Sequence, residues 1–269
     1  MFTKYPSGEY RIDTSVVYEE ITLRYEEGGF FDKLLLIGQL PYNVKKLIIP
    51  YWPYGREDKK YSTIDMVATI NNLFKSFVSN VDTIVTYDLH SDAWINKTNL
   101  NLCNITQNNI WIRAIDDYLF INEIHEDDCV LVSPDKGSRD KIYKLSNDTN
   151  ISTIVKGFKK REPSTGKITE IYIEPCKKSI EGSTAFVVDD ICDGGGTFIP
   201  IAKQLRELGV KKLILIVTHG IFSNSTVKLI GVAPDKIYDE LWTTNTYLSE
   251  TVKTNIYYQK DYMRVVFVV

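Results

Sequence analysis

Between Phe186 and Phe198 the chain reads FVVDDICDGGGTF, and no other segment limits its possible folds so strongly. The apolar run Ala185, Phe186, Val187, Val188 predicts a buried strand. Two adjacent carboxylates, Asp189 and Asp190, follow it. Then come Asp193, three glycines, and Thr197 at the start of an amphipathic helix. A strand, a glycine-rich turn and a helix N-terminus make an anion site, because backbone N–H groups point outward there and the helix dipole favours negative charge. Glycine lets a phosphate come close to the main chain and permits positive φ. Ionised carboxylates accept hydrogen bonds from vicinal hydroxyls. The segment therefore fits a sugar phosphate. The phosphate would lie in the nest of Gly194, Gly195, Gly196 and Thr197, and the ribose hydroxyls on Asp189 and Asp190, with Asp193 between. The competing reading is an ordinary strand-to-helix turn with solvated acids.

Other phosphate motifs are excluded. No G-x-x-x-x-G-K-[ST] occurs, so this is not a P-loop. The acids precede the glycines instead of following them by about twenty residues, as a dinucleotide fingerprint requires.

Hydrophobic periodicity predicts strands near Glu20 to Tyr25, Lys46 to Ile49, Thr83 to Tyr87, Cys129 to Ser133, Thr153 to Val155, Ala185 to Val188 and Lys212 to Val217. Helices are expected over Phe31 to Leu40, Ile64 to Phe77, Ile110 to Phe120 and Phe198 to Leu208, with Gly209 as a stop. Alternating strands and helices predict parallel α/β sheets. The Asn-rich stretch Asn96 to Asn109 reads as a linker between two α/β lobes, residues 1–105 and 106–269. The last strand is a candidate to return to the N-terminal lobe. TYDLH, VSPD, VVDD and VTHG place polar residues at the carboxyl ends of strands, where such sheets bind ligands.

A length of 269 residues allows one large core or two modest ones, and the net charge of −3 provides no global basic field for nucleic acid. Apolar runs such as Leu213 to Val217 are strand-length, far below the roughly eighteen residues of a membrane span. No charged-then-apolar leader opens the sequence, so a cytoplasmic protein is expected. Cys103, Cys129, Cys176 and Cys192 lie far apart without a C-x-x-C, which favours structural thiols over disulfides or zinc.

Eight blocks follow one another in the order KYPSGEYRI (4–12), IPYWPYGREDKK (49–60), TYDLHSDAW (86–94), VSPDKGSRDK (132–141), FKKRE (158–162), DDICDGGGT (189–197), THGIFS (218–223) and TTNT (243–246). The glycine loop resembles the phosphoribosyl-pyrophosphate loop of phosphoribosyltransferases and ribose-phosphate pyrophosphokinases. The full succession resembles ribose-phosphate pyrophosphokinase, also called phosphoribosyl-pyrophosphate synthetase. DLH, SPD and THGIFS are not expected of a plain phosphoribosyltransferase.

The resemblance implies two similar phosphoribosyltransferase-like lobes, each a mostly parallel sheet flanked by helices. The implied reaction transfers the β,γ-diphosphate of ATP to the anomeric hydroxyl of ribose 5-phosphate and releases AMP. Gathering several phosphate charges calls for magnesium and fixed cations. By resemblance His90 and Asp135 are metal contacts, His90 also being catalytic, and Lys159 and Arg161 close over the phosphates from a mobile arm. Lys160 is left out, because it would face the other way on an extended arm. Tyr5, Glu9, Arg56 and Glu57 are the implied ATP contacts in the N-terminal lobe, reaching a neighbouring subunit's site in a homo-oligomer. His219 is expected to be structural and His125 a surface residue.

Departures from the family pattern are specific. Ser7 stands for an aspartate, Glu57 for a glutamine, and an insertion after EDKK that helps form the usual allosteric site is missing. Gly194 stands where a hydroxyl-bearing Thr commonly binds the 5-phosphate. Three consecutive glycines also leave space beyond that phosphate. This keeps a second acceptor open, ADP-ribose, which would give a pyrophosphorylated product for NAD salvage. A catalytically silent regulatory homologue is a third reading, against which the retained KxR arm and DLH histidine argue.

Overall fold

The computed structural model describes residues 1–58, 65–162, 168–175, 178–223, 226–231, 237–258 and 261–269. The expected helix start at Ile64, the end of the REDKK block, Cys176 and the segment 163–167 lie outside the described residues. The chain divides into two compact units, 1–106 (with Val269) and 107–268.

The first unit opens with an antiparallel hairpin, β1 (Phe2–Lys4) and β2 (Tyr10–Ile12). It continues as β3 (Glu20–Thr22), α1 (Phe30–Gly38), β4 (Val44–Ile49), α2 (Met66–Phe77), β5 (Val81–Tyr87), α3 (Ala93–Asn96) and β6 (Leu102–Ile105). Strands β3, β4, β5 and β6 form one sheet in that order, parallel throughout. Both longer helices bury one stripe at helical spacing: Phe30, Lys33, Leu34 and Ile37 from α1, and Val67, Ile70, Asn71 and Phe74 from α2.

The second unit comprises α4 (Gln107–Ile121), β7 (Cys129–Ser133), α5 (Arg139–Thr149), β8 (Ile154–Arg161), β9 (Ile168–Ile173), β10 (Thr184–Cys192) and α6 (Phe198–Glu207). It ends with β11 (Lys212–Gly220), α7 (Val227–Ile230), β12 (Glu240–Thr244), α8 (Glu250–Tyr258) and β13 (Met263–Val266). Its seven-stranded sheet runs β13-β12-β11-β10-β7-β8-β9, with only β8–β9 antiparallel. Alternate residues of β10 serve opposite faces. Ala185 and Val187 join Phe198, Ile201, Ala202 and Leu205 of α6 in one apolar cluster. Phe186 meets Tyr118 of α4 edge-on at 6.0 Å, and Tyr118 meets Trp242 at 5.1 Å. Covering both faces explains why β10 and β11 read as unbroken apolar runs.

The boundary between the two units, Thr106/Gln107, falls inside the Asn-rich stretch 96–109, which is itself ordered: β6 pairs Leu102–Ile105 with Ile84–Tyr87, and α4 begins at Gln107. Short alternating residues among asparagines are stabilised by the neighbouring strand and not by local propensity. Three expectations are corrected elsewhere. The last strand does not return to the first sheet, because β13 pairs with β12 along Met263–Val266. Strand β10 does not stop at Val188; it keeps its pairing with β11 as far as Cys192 opposite Gly220, so Asp189 and Asp190 lie within it. Finally, the strand expected to end near Val155 runs on: Phe158–Arg161 is the distal part of β8, which pairs with β9 after leaving β7 at Lys156. The missed helix α5 buries only Ile142, Leu145 and Thr149, a stripe hidden in a charged sequence.

Gly157 marks where β8 passes the turn after β7. A Cβ there would lie 2.6 Å from the carbonyl oxygen of Pro134 and 2.9 Å from that of Ser133. Backbone cannot give way as a side chain can. Gly157→Ala should therefore lower stability by about 1–3 kcal/mol, the usual cost of overpacking, measurable by chemical denaturation.

Candidate functional site

The site in the second unit begins with the turn after β7. Asp135 Oδ1 accepts from the N–H groups of Gly137, at 2.8 Å, and Ser138, at 3.2 Å. Ser133 Oγ donates to the Asp135 carbonyl at 2.7 Å, closing the same turn. Asp135 Oδ2 accepts from Lys159 Nζ at 2.7 Å, and both side chains are largely buried. Burial alone would raise the Asp135 carboxyl. The Lys159 ammonium and the two backbone N–H groups outweigh it and hold the group below its ordinary range.

Beside this pair, β10 carries the two adjacent acids. Its pairing with β7 ends at Val187 opposite Val132, whereas pairing with β11 continues to Cys192, so the stretch bearing the acids keeps a strand on one side only. Asp190 is 4% exposed, and its N–H donates to Asp189 Oδ1 at 3.0 Å. Burial, then the neighbouring charges of Asp190 and Asp135, push the Asp189 carboxyl well above its ordinary value, with Lys159 opposing. Asp189, Asp190, Asp135 and Lys159 thus form one electrostatic group. Its three acids and one cation leave an excess of negative charge suited to hydroxyl donors and further cations.

The glycine loop follows. Gly195 takes φ 79° and its carbonyl accepts the N–H groups of Phe198 and Ile199, starting α6. Thr197 caps α6 without a side-chain hydrogen bond, and Gly194 and Gly196 are exposed. A Cβ at Gly195 would come 2.9 Å from Leu229 Cδ2, whereas one at Gly196 would meet nothing within 4 Å. Asp193 accepts a hydrogen bond from Ser223, in the turn after β11. Burial pushes the Cys192 thiol far above its usual range, and also raises Cys129, to about 12, which disfavours the reactive thiolate. Cys103, Cys129 and Cys192 carry free thiols.

His219 is buried, with Nδ1 2.7 Å from Thr246 Oγ1, while Thr244 and Thr246 hydroxyls donate to the Thr218 carbonyl. It ties β11 to the TTNT turn. His125 lies exposed, with Nδ1 accepting from the Asp127 N–H. Of Arg161, only its place at the end of β8 is described.

In the first unit, Asp88 is buried with φ 40°, and its N–H donates to the Ile105 carbonyl. That left-handed residue turns the chain so that Leu89 enters the core while His90 faces outward. Tyr5 and Glu9 close the β1–β2 turn through a Tyr5 N–H to Glu9 carbonyl bond of 2.8 Å, and Ser7 Oγ donates to Glu9 Oε2. Arg56 and Glu57 are exposed on another turn, pinned where Trp94 Nε1 donates to the Gly55 carbonyl at 3.0 Å. The structure joins Asp135 to Lys159 and groups them with the β10 acids. The four N-terminal residues occupy two separate exposed turns.

Sequence reasoning missed several contributors. Gly137 and Ser138 orient Asp135, and Ser223 holds Asp193. The Arg139 guanidinium lies 4.2 Å from the Phe158 ring centre, and Phe158 stacks on Tyr172 beside Lys159. Each but Tyr172 stood in a quoted block, Gly137, Ser138 and Arg139 in VSPDKGSRDK, Phe158 in FKKRE and Ser223 at the end of THGIFS, without a role assigned to it.

A family model described as the phosphoribosyl transferase domain matches residues 103–239. The chain belongs to that family. Its similarity extends to ribose-phosphate pyrophosphokinases over nearly its whole length, and it is a member of that group. It is 26% identical over 261 residues to the enzyme of Pyrococcus abyssi, covering 94% of this chain and 86% of that one. To the enzyme of Aquifex aeolicus it is 30% identical over 201 residues, covering 74% and 60%. The crystal structure of phosphoribosylpyrophosphate synthetase from Mycobacterium smegmatis shares the fold, with a TM-score of 0.77 at 21% identity over 99% of this chain and 85% of that one. No helix among the described residues is long and apolar enough to cross a membrane.

The two carboxylates bear opposite pH signatures. Asp189, raised in the fold, contributes stability that is complete below its unfolded value of about 3.9 and is lost as pH rises through the folded value. Asp135, lowered, contributes stability above that unfolded value, lost as pH falls through its folded one. Asp189→Asn should therefore raise the melting temperature of the ligand-free protein at neutral pH and flatten its decline above about pH 4. Thermal melts across pH, on both proteins, check this.

Proposed function

We propose that the protein transfers the β,γ-diphosphate of ATP to the anomeric hydroxyl of ribose 5-phosphate, releasing AMP. The observation that carries the reading is the grouping of Asp189 and Asp190 with the Asp135–Lys159 pair, directly ahead of the glycine loop at the start of α6. The loop and helix N-terminus suit the 5-phosphate. The carboxyl oxygens of the β10 acids suit the ribose hydroxyls, which can donate to them. Lys159 and Arg161 are the cations proposed to meet the transferring phosphates, and Tyr5, Glu9, Arg56 and Glu57 the side chains proposed to hold ATP. A homo-oligomer is proposed from the family alone.

Among the described residues no three His, Cys, Asp or Glu side chains are grouped to cage a metal. Magnesium does not require a cage: it keeps waters and uses one or two carboxylates with substrate phosphates. Asp135 fits that role once Lys159 leaves its Oδ2; His90 is proposed as a magnesium contact by resemblance to the family alone. Bound magnesium would neutralise phosphate charge. Lys159 then has two tasks. In the ligand-free protein it neutralises Asp135, and during transfer it stabilises the phosphates.

A second acceptor, ADP-ribose, is favoured by one feature. Gly194 and Gly196 are exposed and a side chain at Gly196 would meet open space, leaving room beyond the 5-phosphate. One assay tests both readings: AMP release from magnesium-ATP with each acceptor, alone and in competition. The proposal expects AMP with ribose 5-phosphate as the better acceptor, by ratio of kcat/KM. A larger kcat/KM for ADP-ribose would reverse the order, and no AMP with either would contradict the proposed chemistry. In the same assay Lys159→Ala should lower kcat about 100-fold or more, as loss of one transition-state donor does, while acceptor affinity changes little.

A further inference from the structure

Both carboxylate oxygens of Asp135 are already engaged. Its Oδ1 accepts from the N–H groups of Gly137 and Ser138, and its Oδ2 from Lys159 Nζ at 2.7 Å. The two oxygens differ in what holds them. Oδ1 is fixed by the backbone of its own turn, whereas Oδ2 is held by a flexible side chain. The backbone under that side chain is fixed too. Lys159 stands opposite Ile171 in the β8–β9 ladder, and the neighbouring Phe158 stacks on Tyr172 and lies under the Arg139 guanidinium. The part that can swing is the four-carbon stem of Lys159, which ends in a compact ammonium.

The side chains of Asp135 and Lys159 are 27% and 13% exposed, so solvent reaches the pair. A hydrated ion arriving there finds the oxygen that the backbone leaves over already taken. Magnesium binds oxygen at about 2.0–2.1 Å. An ammonium on the same oxygen would face it as a like charge at close range. Free magnesium also gives a displaced ammonium no new acceptor. A polyphosphate does, because its oxygens accept charge-assisted hydrogen bonds and its negative charge compensates the broken pair.

We infer that Lys159 is a gate on the metal site: its ion pair with Asp135 keeps free magnesium off the ligand-free protein until phosphate oxygens draw the ammonium away. This deepens the functional reading above and rests on it. The gate is a second use of the cation proposed for transfer, and it makes metal binding depend on the nucleotide.

The test is Mn2+ binding to the ligand-free full-length protein, counted by electron paramagnetic resonance with Mg2+ as competitor. Lys159→Met keeps the stem without the charge. It should tighten Mn2+ about 10-fold or more, the effect of one hydrogen bond between charged groups, and Lys159→Gln should do the same. Lys160→Met removes an equal charge from the exposed neighbour and should change binding less than about twofold. Asp135→Asn should abolish the gain in the Lys159→Met background. Added α,β-methylene ATP should bring Mn2+ to Asp135 in the wild type as well, seen as a spectrum that Asp135→Asn alters. Unchanged Mn2+ affinity in both neutral Lys159 variants would overturn the inference. So would equal tightening in Lys160→Met, which is a bulk charge effect, or a gain that survives Asp135→Asn, which would put the metal on Asp189 or Asp190. A spectrum indifferent to Asp135→Asn would overturn it too. AMP release is read separately: its absence in the wild type would overturn the functional reading, whereas the Mn2+ titrations decide the gate.

Discussion

Strands β7, β10 and β11 point the same way in one sheet, and the site follows from that constraint. Parallel pairing places their carboxyl ends along a single edge, so the turns after Ser133, Cys192 and Gly220 emerge together. Each turn delivers one component: Asp135, the glycine loop and Ser223. The strands differ in where pairing stops. Strand β7 ends its ladder with β10 at Val132, while β11 accompanies β10 to Gly220. The acids of β10 therefore lie in a step between a short neighbour and a long one.

Electrostatics then divides the work. Asp189 is disfavoured as an anion by burial and by two other acids, whereas Asp135 is kept ionised by Lys159 and two backbone donors. Lys159 comes from β8, whose approach to the β7 turn depends on the missing side chain at Gly157. An ion pair this close between two proposed ligand-binding groups is stable without ligands and must open when they bind. Specificity and readiness are thereby linked, because the cation proposed to serve the phosphates first serves the fold.

Much of this arrangement was legible in the chain. The apolar run before Asp189, the glycines and the amphipathic stretch after Thr197 identified a strand, turn and helix, because each is dictated by local periodicity and backbone freedom. The proposed sugar-phosphate ligand rests on the same local signals. Contacts between distant segments were not. Lys159 and Asp135 are separated by twenty-four residues and Ser223 and Asp193 by thirty, and no local pattern encodes either distance. Strand β6 escaped notice because its neighbour, and not its asparagine-rich sequence, stabilises it. The length of β10 was underestimated because acids are poor strand formers, and only the partner strand β11 carries the ladder past them.

The central claim is that the carboxyl ends of β7, β10 and β11 form the seat of a phosphorylated ribose. A crystal structure of the protein with ribose 5-phosphate tests it most directly. The account predicts the phosphate against the backbone of Gly194–Thr197 and the ribose hydroxyls on Asp189 and Asp190. A ribose 5-phosphate bound elsewhere, with the glycine loop and both acids untouched, would contradict it.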